Sequence, residues 1–162
     1  MVVEEVPPAV AQVIRSFSDL GCYGPAVFFD RPNVNVTDLL AELDTTIGAF
    51  AESQLFLVDD HPTVVLTPGG LTADVTSLAA DLGTDRISRP SDKQIRRLTG
   101  QTPGSVAPVG HPENLPVVID VSLAQYERIW IPAGDPSYVF TTSYAELLRA
   151  TAGQAAEITE LN

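Results

Sequence analysis

The sequence predicts a mixed α/β (α+β) fold, a strongly curved mixed β-sheet surrounded by helices. Three observations predict it. Helix-like and strand-like segments are interleaved along the chain. The later strands are joined by hairpin-like turns, which argues against a regular doubly wound parallel sheet. The length of 162 residues, 44% of them hydrophobic, suits one domain with a real core. That domain is expected over 1–153, with 154–162 as a loose tail.

Each element has a local reason. Pro7 and Pro8 open the first helix, where a missing N–H costs nothing. Val10, Val13, Phe17 and Leu20 recur on one face, and Gly21 ends it. Ala26–Phe29 reads as a short buried strand. Thr37 is placed to cap a second helix carrying Leu39, Leu40 and Leu43. Gln54–Val58 and Thr63–Thr67 are β-prone runs joined by Asp59-Asp60-His61-Pro62, a hairpin that Pro68-Gly69-Gly70 ends. A helix with Val75, Leu78 and Leu82 inward stops at Gly83, and Arg86–Ser88 is a short strand.

Ser91-Asp92-Lys93-Gln94 forms a capping box, starting a helix that Gly100 ends. Strands come next at Val117–Asp120, Arg128–Ile131 and Tyr138–Thr141. A second capping box, Ser143 to Glu146, opens a last helix through Leu147 and Leu148, closed by Gly153. Phe28, Phe29, Phe56 and Trp130 lie in strand-like runs and read as core.

Composition excludes several classes. No apolar run approaches the ~20 residues that cross a bilayer. Met-Val-Val-Glu-Glu lacks the positive charge and apolar run of a secretory signal. Cys22 is the only cysteine, which rules out an internal disulfide and fits a cytoplasmic location. His61 and His111 are far apart and no zinc-site spacing occurs, so no metal is expected. No Gly-rich phosphate loop comes after a strand, so no nucleotide cofactor is expected either.

The net charge is −12, from 21 acidic and 9 basic residues. Nonspecific coating by nucleic acid is therefore disfavoured. Five of the nine basic residues nevertheless fall between 86 and 97: Arg86, Arg89, Lys93, Arg96 and Arg97. Lys93, Arg96 and Arg97, at i, i+3 and i+4, share one helix face. They form either a solvated surface or a phosphate-contacting patch.

Thr99–Pro112 packs three glycines and three prolines into fourteen residues. Glycine lets backbone turn sharply or approach a ligand, and proline stiffens the chain between such points. A stiff loop with bare amides meets the physical requirement of an oxyanion hole. A structural connector satisfies the same composition. His111, just after the loop, is the best candidate for a general base, and a surface histidine is the alternative. Cys22 reads as a small packed residue.

Taken in order, these segments resemble the YbaK/prolyl-tRNA-synthetase-associated domain family, the aminoacyl-tRNA deacylases. The likeness runs from Lys93 to Leu147. It comprises Thr99-Gly100, then Gly104-Ser105-Val106-Ala107-Pro108-Val109-Gly110, then Val118-Ile119-Asp120. Trp130-Ile131-Pro132-Ala133-Gly134, Val139-Phe140-Thr141 and Glu146-Leu147 complete it. The resemblance implies hydrolysis of an amino acid wrongly esterified to the 3′ end of a tRNA. It implies that Gly104–Pro108 (Gly104, Ser105, Val106, Ala107, Pro108) binds the aminoacyl ester, with Asp120 and Gly134 beside it. Transient tRNA contact would fall to Arg86, Arg89, Lys93, Arg96 and Arg97, and an aminoacyl-tRNA synthetase is a second candidate partner. Two departures stand out: Ser105 replaces the second of two adjacent glycines, and Ser53 occupies the place of a lysine that many members carry. A member that keeps the fold but binds a small amino-acid-like ligand or a protein partner is the alternative.

Overall fold

The computed structural model describes residues 6–22, 26–28 and 36–159, with the side chains of 26–28, 36 and 39 outside the description. The helices are α1 (Pro8–Asp19), α2 (Val36–Glu42), α3 (Val75–Leu82), α4 (Asp92–Thr99) and α5 (Tyr144–Thr151). The strands are β1 (Ala26–Phe28), β2 (Glu52–Val58), β3 (His61–Thr67), β4 (Ile87–Ser88), β5 (Val117–Asp120), β6 (Ile129–Pro132), β7 (Tyr138–Thr142) and β8 (Gln154–Ala156). Phe29, expected to extend β1, lies outside the described residues.

A five-stranded sheet has the order β4-β2-β3-β5-β8 and a three-stranded one the order β1-β7-β6. β2 and β3 are antiparallel, whereas β3–β5 and β5–β8 are parallel, so the larger sheet is mixed. A parallel bridge between Phe50 and Trp130, with the Ala51 amide donating to the Trp130 carbonyl at 2.8 Å, joins the two sheets.

The larger sheet is covered on both faces. Val64 and Leu66 of β3, with Val117 and Ile119 of β5, join the main core with Val10, Val13 and Phe17 of α1. The intervening Val65 and Val118 face a second cluster with Leu78 of α3 and Phe56. Strands buried on both faces become continuous apolar runs, which is how these read in the sequence. Phe50 stacks on Trp130 at 5.1 Å between ring centres, packing the outer face of the smaller sheet.

Several local expectations shift. The hairpin turn is only Asp59-Asp60, both at positive φ, and His61 and Pro62 belong to β3. Two left-handed central residues match the right-handed strand twist, and Asp tolerates that conformation. Pro62 is accommodated because pairing of β3 with β5 begins only at Val64. α2 begins at Val36, so Thr37 lies inside the helix rather than capping it. Leu20 and Val75 are exposed, so α3 turns inward mainly through Leu78. α5 is capped by Ala152 in the left-handed region, one residue before Gly153. Its Ser143 hydroxyl accepts from the Glu146 amide.

The larger correction concerns the C-terminus. Residues 154–159 do not form a loose tail. β8 pairs in parallel with β5, Ile158 is fully buried, and Thr159 bridges Ala73. The Asp120 carboxylate accepts from the Ile158 amide at 2.9 Å, tying this segment to the end of β5. Ile158→Ala should therefore cost about 2–4 kcal/mol, as for a core residue. Urea unfolding checks this; a loss under about 0.5 kcal/mol would restore the loose-tail reading.

Candidate functional site

The site begins at α4. The Ser91 side chain and Gln94 satisfy each other's backbone amides, fixing the helix start as the capping box requires. Ile95 and Leu98 pack against the main core, leaving Lys93, Arg96 and Arg97 on the exposed side. Among the described residues, none of these three forms an ion pair. Arg86 and Arg89 are already engaged: Arg86 pairs with Asp60 at 2.8 Å, and the Arg89 guanidinium sits 4.8 Å over the Phe56 ring. Five expected tRNA contacts thus divide into three uncommitted charges and two with partners inside the protein.

Gly100, left-handed, ends α4 and releases the chain into the Gly/Pro loop. Gln101, which sequence reasoning did not single out, organises that loop. It is buried, its Oε1 accepts from the Ala107 amide at 2.7 Å, and its Nε2 donates to the Val109 carbonyl at 3.1 Å. One amide side chain therefore spans the loop from inside. Its only sequence signal is a polar residue lodged among glycines and prolines.

Gly134 is laced to the same loop. Its amide donates to the Ser105 carbonyl at 2.8 Å, and its carbonyl accepts from the Thr102 amide at 3.1 Å. Gly134 has φ +94°, and a Cβ there would lie 3.2 Å from the Gln101 side chain. The turn and the loop are bonded together rather than facing one another across open space.

Of the loop's amides, Ser105 donates to the Thr102 carbonyl at 2.9 Å and Ala107 is held by Gln101. Gly104 and Val106 have no acceptor among the described residues. Pro108 has no amide to offer. Gly104 takes φ +84° with open space where a Cβ would be, whereas Val106 is only 2% exposed. A buried N–H without a partner is rare and calls for a water or a ligand.

His111 closes the loop from the other side. Its Nε2 lies 2.8 Å from the Ala107 carbonyl, which can only accept, so Nε2 carries the proton. Nδ1 is buried without a partner. Burial depresses the imidazole pKa, opposed by backbone groups of Ala107 and Thr99. The basic nitrogen is thus closed off from solvent, a poor position for the general base expected from sequence.

Ser53 lies on β2 opposite Leu66, buried on the main-core side, and its hydroxyl has no partner. β6 is the link in the site. It runs beside Phe50 and Ala51, the residues that lead into β2, and ends in the turn laced to the Gly104 loop.

Asp120 is not part of that group. Besides Ile158, its carboxylate accepts from the Ser122 amide at 3.0 Å and from the hydroxyls of Ser122 and Thr159. Its oxygens cap a 3-10 turn and hold the C-terminal segment, so the substrate contact expected of it gives way to a structural one. Cys22 is buried and its thiol pKa is raised, chiefly by burial, as for a packed cysteine.

Several clefts adjoin these elements, among them one of about 300 Å³ lined by Pro108, Val109, Gly110 and His111. Another of about 340 Å³ is lined by Thr99, Gln101 and His111, with Pro8 and Gln12 of α1. A larger one of about 1100 Å³ lies by Trp130, Thr141 and Asp44 and contains none of the expected site residues. No described helix is long and apolar enough to cross a membrane.

The structure is a mixed-sheet domain that stiffens a glycine-proline loop against a glycine turn. Residues 31–150 match the model of the aminoacyl-tRNA editing domain, and the chain belongs to that family. It is 29% identical over 114 residues to the proline–tRNA ligase of Lactiplantibacillus plantarum, covering 69% of this chain and 20% of the ligase. It is 29% identical over 98 residues to EbsC of Enterococcus faecalis, a proposed Cys-tRNA(Pro)/Cys-tRNA(Cys) deacylase, covering 60% of each. The chain thus spans about a fifth of the ligase. A solved structure described as a proposed trans-editing enzyme for prolyl-tRNA synthetase superposes with a TM-score of 0.87. It is 23% identical and covers 97% of this chain and 100% of its own, so the fold is shared over essentially the whole domain.

Gly134→Ala should destabilise the protein by at least about 1–2 kcal/mol, the cost of a left-handed alanine. Denaturant unfolding would measure it, and an unchanged midpoint would show that the Gln101 contact yields freely.

Proposed function

We propose that this protein is an aminoacyl-tRNA deacylase that hydrolyses the ester of a mischarged amino acid. The observation that carries this reading is the Val106 amide, buried without an acceptor among the described residues, with the exposed Gly104 amide two residues before it, in a Gly104–Pro108 segment whose other amides are fixed. Such donors suit a carbonyl oxygen that gains negative charge in the transition state. Membership of the editing family and the likeness to the deacylase and ligase above support it.

In the reaction, water adds to the ester carbonyl carbon and the C–O bond to the terminal ribose breaks. The ribose oxygen leaves as a hydroxyl after taking a proton, and the amino acid departs as a carboxylate. An aminoacyl ester is already activated, so oriented donors, a placed water and the neighbouring ribose hydroxyl supply the modest help required. Ser53 brings a neutral hydroxyl to the position that the family resemblance gives to a lysine. Its buried, unpartnered Oγ is one observation that also favours a second reading, a member that binds an amino-acid-like ligand without cleaving it. The exposed face of α4 is the proposed tRNA contact, and a synthetase that presents the tRNA is the proposed protein partner. This reading places the protein in the cytoplasm.

The decisive measurement is amino-acid release from a panel of mischarged tRNAs. Hydrolysis above the spontaneous rate for at least one pair is expected; none for any pair would sink the deacylase. Ser53→Lys then separates the readings, because a large gain of hydrolysis marks a lapsed enzyme and no change marks a lysine-independent one. Reversing α4 with K93E/R96E/R97E should raise KM for tRNA about tenfold at low salt and leave kcat near wild type. It should also flatten the salt dependence by about one unit of log–log slope for each phosphate the reversed side chains no longer neutralise.

A further inference from the structure

Ala107 is held at both ends of its backbone by side-chain atoms from outside the Gly104–Pro108 segment, Gln101 buried and His111 partly so. Gln101 Oε1 takes its N–H at 2.7 Å, and His111 Nε2–H is given to its C=O at 2.8 Å. Both backbone groups of one residue in the middle of a loop are thus fixed by side chains, one from six residues before it and one from four residues after it. Gln101 adds a third, from its Nε2 to the Val109 carbonyl at 3.1 Å, so both flanks of Pro108 are fixed. Gly134 leaves the space that this side chain occupies.

We infer that Gln101 and His111 are paired positioning residues that clamp Ala107 and so fix the orientation of the neighbouring Val106 and Gly104 amides. The inference rests on the deacylase reading for its catalytic consequence. It assigns His111 a role that needs only the Nε2 proton, which the ring keeps in both of its ordinary charge states. No proton is taken from substrate or water by either residue. Donors misplaced by about 1 Å lose on the order of a hundredfold in rate, so the clamp should act on kcat and hardly on tRNA affinity.

The test compares His111→Ala, His111→Gln and Gln101→Ala with wild type. Glutamine can present an N–H where His111 presents Nε2, but it has no ionisable nitrogen. Amide hydrogen exchange of residues 104–107 is measured by NMR, and steady-state deacylation on whichever mischarged tRNA the panel identifies. His111→Ala and Gln101→Ala should expose the Ala107 amide to faster exchange. They should lower kcat about 10–100-fold with KM within about threefold. His111→Gln should restore protection and bring kcat back within about threefold, with an unchanged pH–rate profile. If His111→Gln is as slow as His111→Ala, or loses a pH inflection that wild type shows, ionisation matters and the clamp is overturned. Unaltered exchange and kcat in both alanine variants overturn it as well. Should Gln101→Ala fail to fold, the two substitutions at the partly buried His111 decide alone. If wild type cleaves no tRNA in the panel, the deacylase reading fails, and the clamp is still judged by exchange at Ala107.

Discussion

The bond between the Gln101 carboxamide and the Ala107 backbone is the constraint from which the candidate site takes its shape. A buried amide side chain carries strong donors and acceptors that must all be met, so its position is set wherever it meets them. Here they are met by the loop itself. Thr99 completes the arrangement: its hydroxyl donates back to the Ile95 carbonyl at 2.7 Å and accepts from the Gln101 amide at 3.0 Å. The rigid end of α4 is carried directly into the loop, and Gly134 locks the far side. Binding elements are often found on loops held by a rigid scaffold, and in this protein the scaffold reaches into the loop.

The electrostatic layout complements that geometry. A chain with a net charge of −12 repels polyanions at long range. The uncommitted cations of α4 lie immediately before the loop, so local attraction is confined to the approach that ends there. Arg86 and Arg89 do not extend this patch freely, since one is paired with Asp60 and the other lies over Phe56. A small positive area in a negative field favours brief, oriented encounters over tight storage of RNA.

Features decided by local chemistry were legible in the sequence. The capping box at Ser91 announces α4 because its partners are three residues apart. The runs through Val64–Leu66 and Val117–Ile119 announce buried strands because both faces are covered. Gly104, Gly110 and Gly134 announce a turning loop, and each has positive φ. β8 was illegible because Gln154-Ala155-Ala156 has no β preference of its own and becomes a strand only by pairing with β5. Asp120 looked like an available acid because its partner Ile158 lies 38 residues away. Gln101 carried no periodic or motif signal, since its bonds exist only once the loop has closed. Ser53 could be aligned with a lysine, but its burial and unmet hydroxyl arise from β2 lying beside β3 and from the main-core face it occupies.

The pairing of β8 with β5 also has a temporal meaning. During synthesis, β5 emerges with one neighbour already made and its other edge bare. Its second neighbour arrives only after α5 has passed, 36 residues later by the Ile119–Ala155 pairing. Non-local parallel pairings of this sort form slowly, because the intervening chain must close before any contact rewards it. Until then, Val118 and Phe56 lack the cover that Ala156 and Ile158 give them, and Asp120 lacks its main amide partner. Closure of the central sheet at this edge therefore waits for the segment that follows α5.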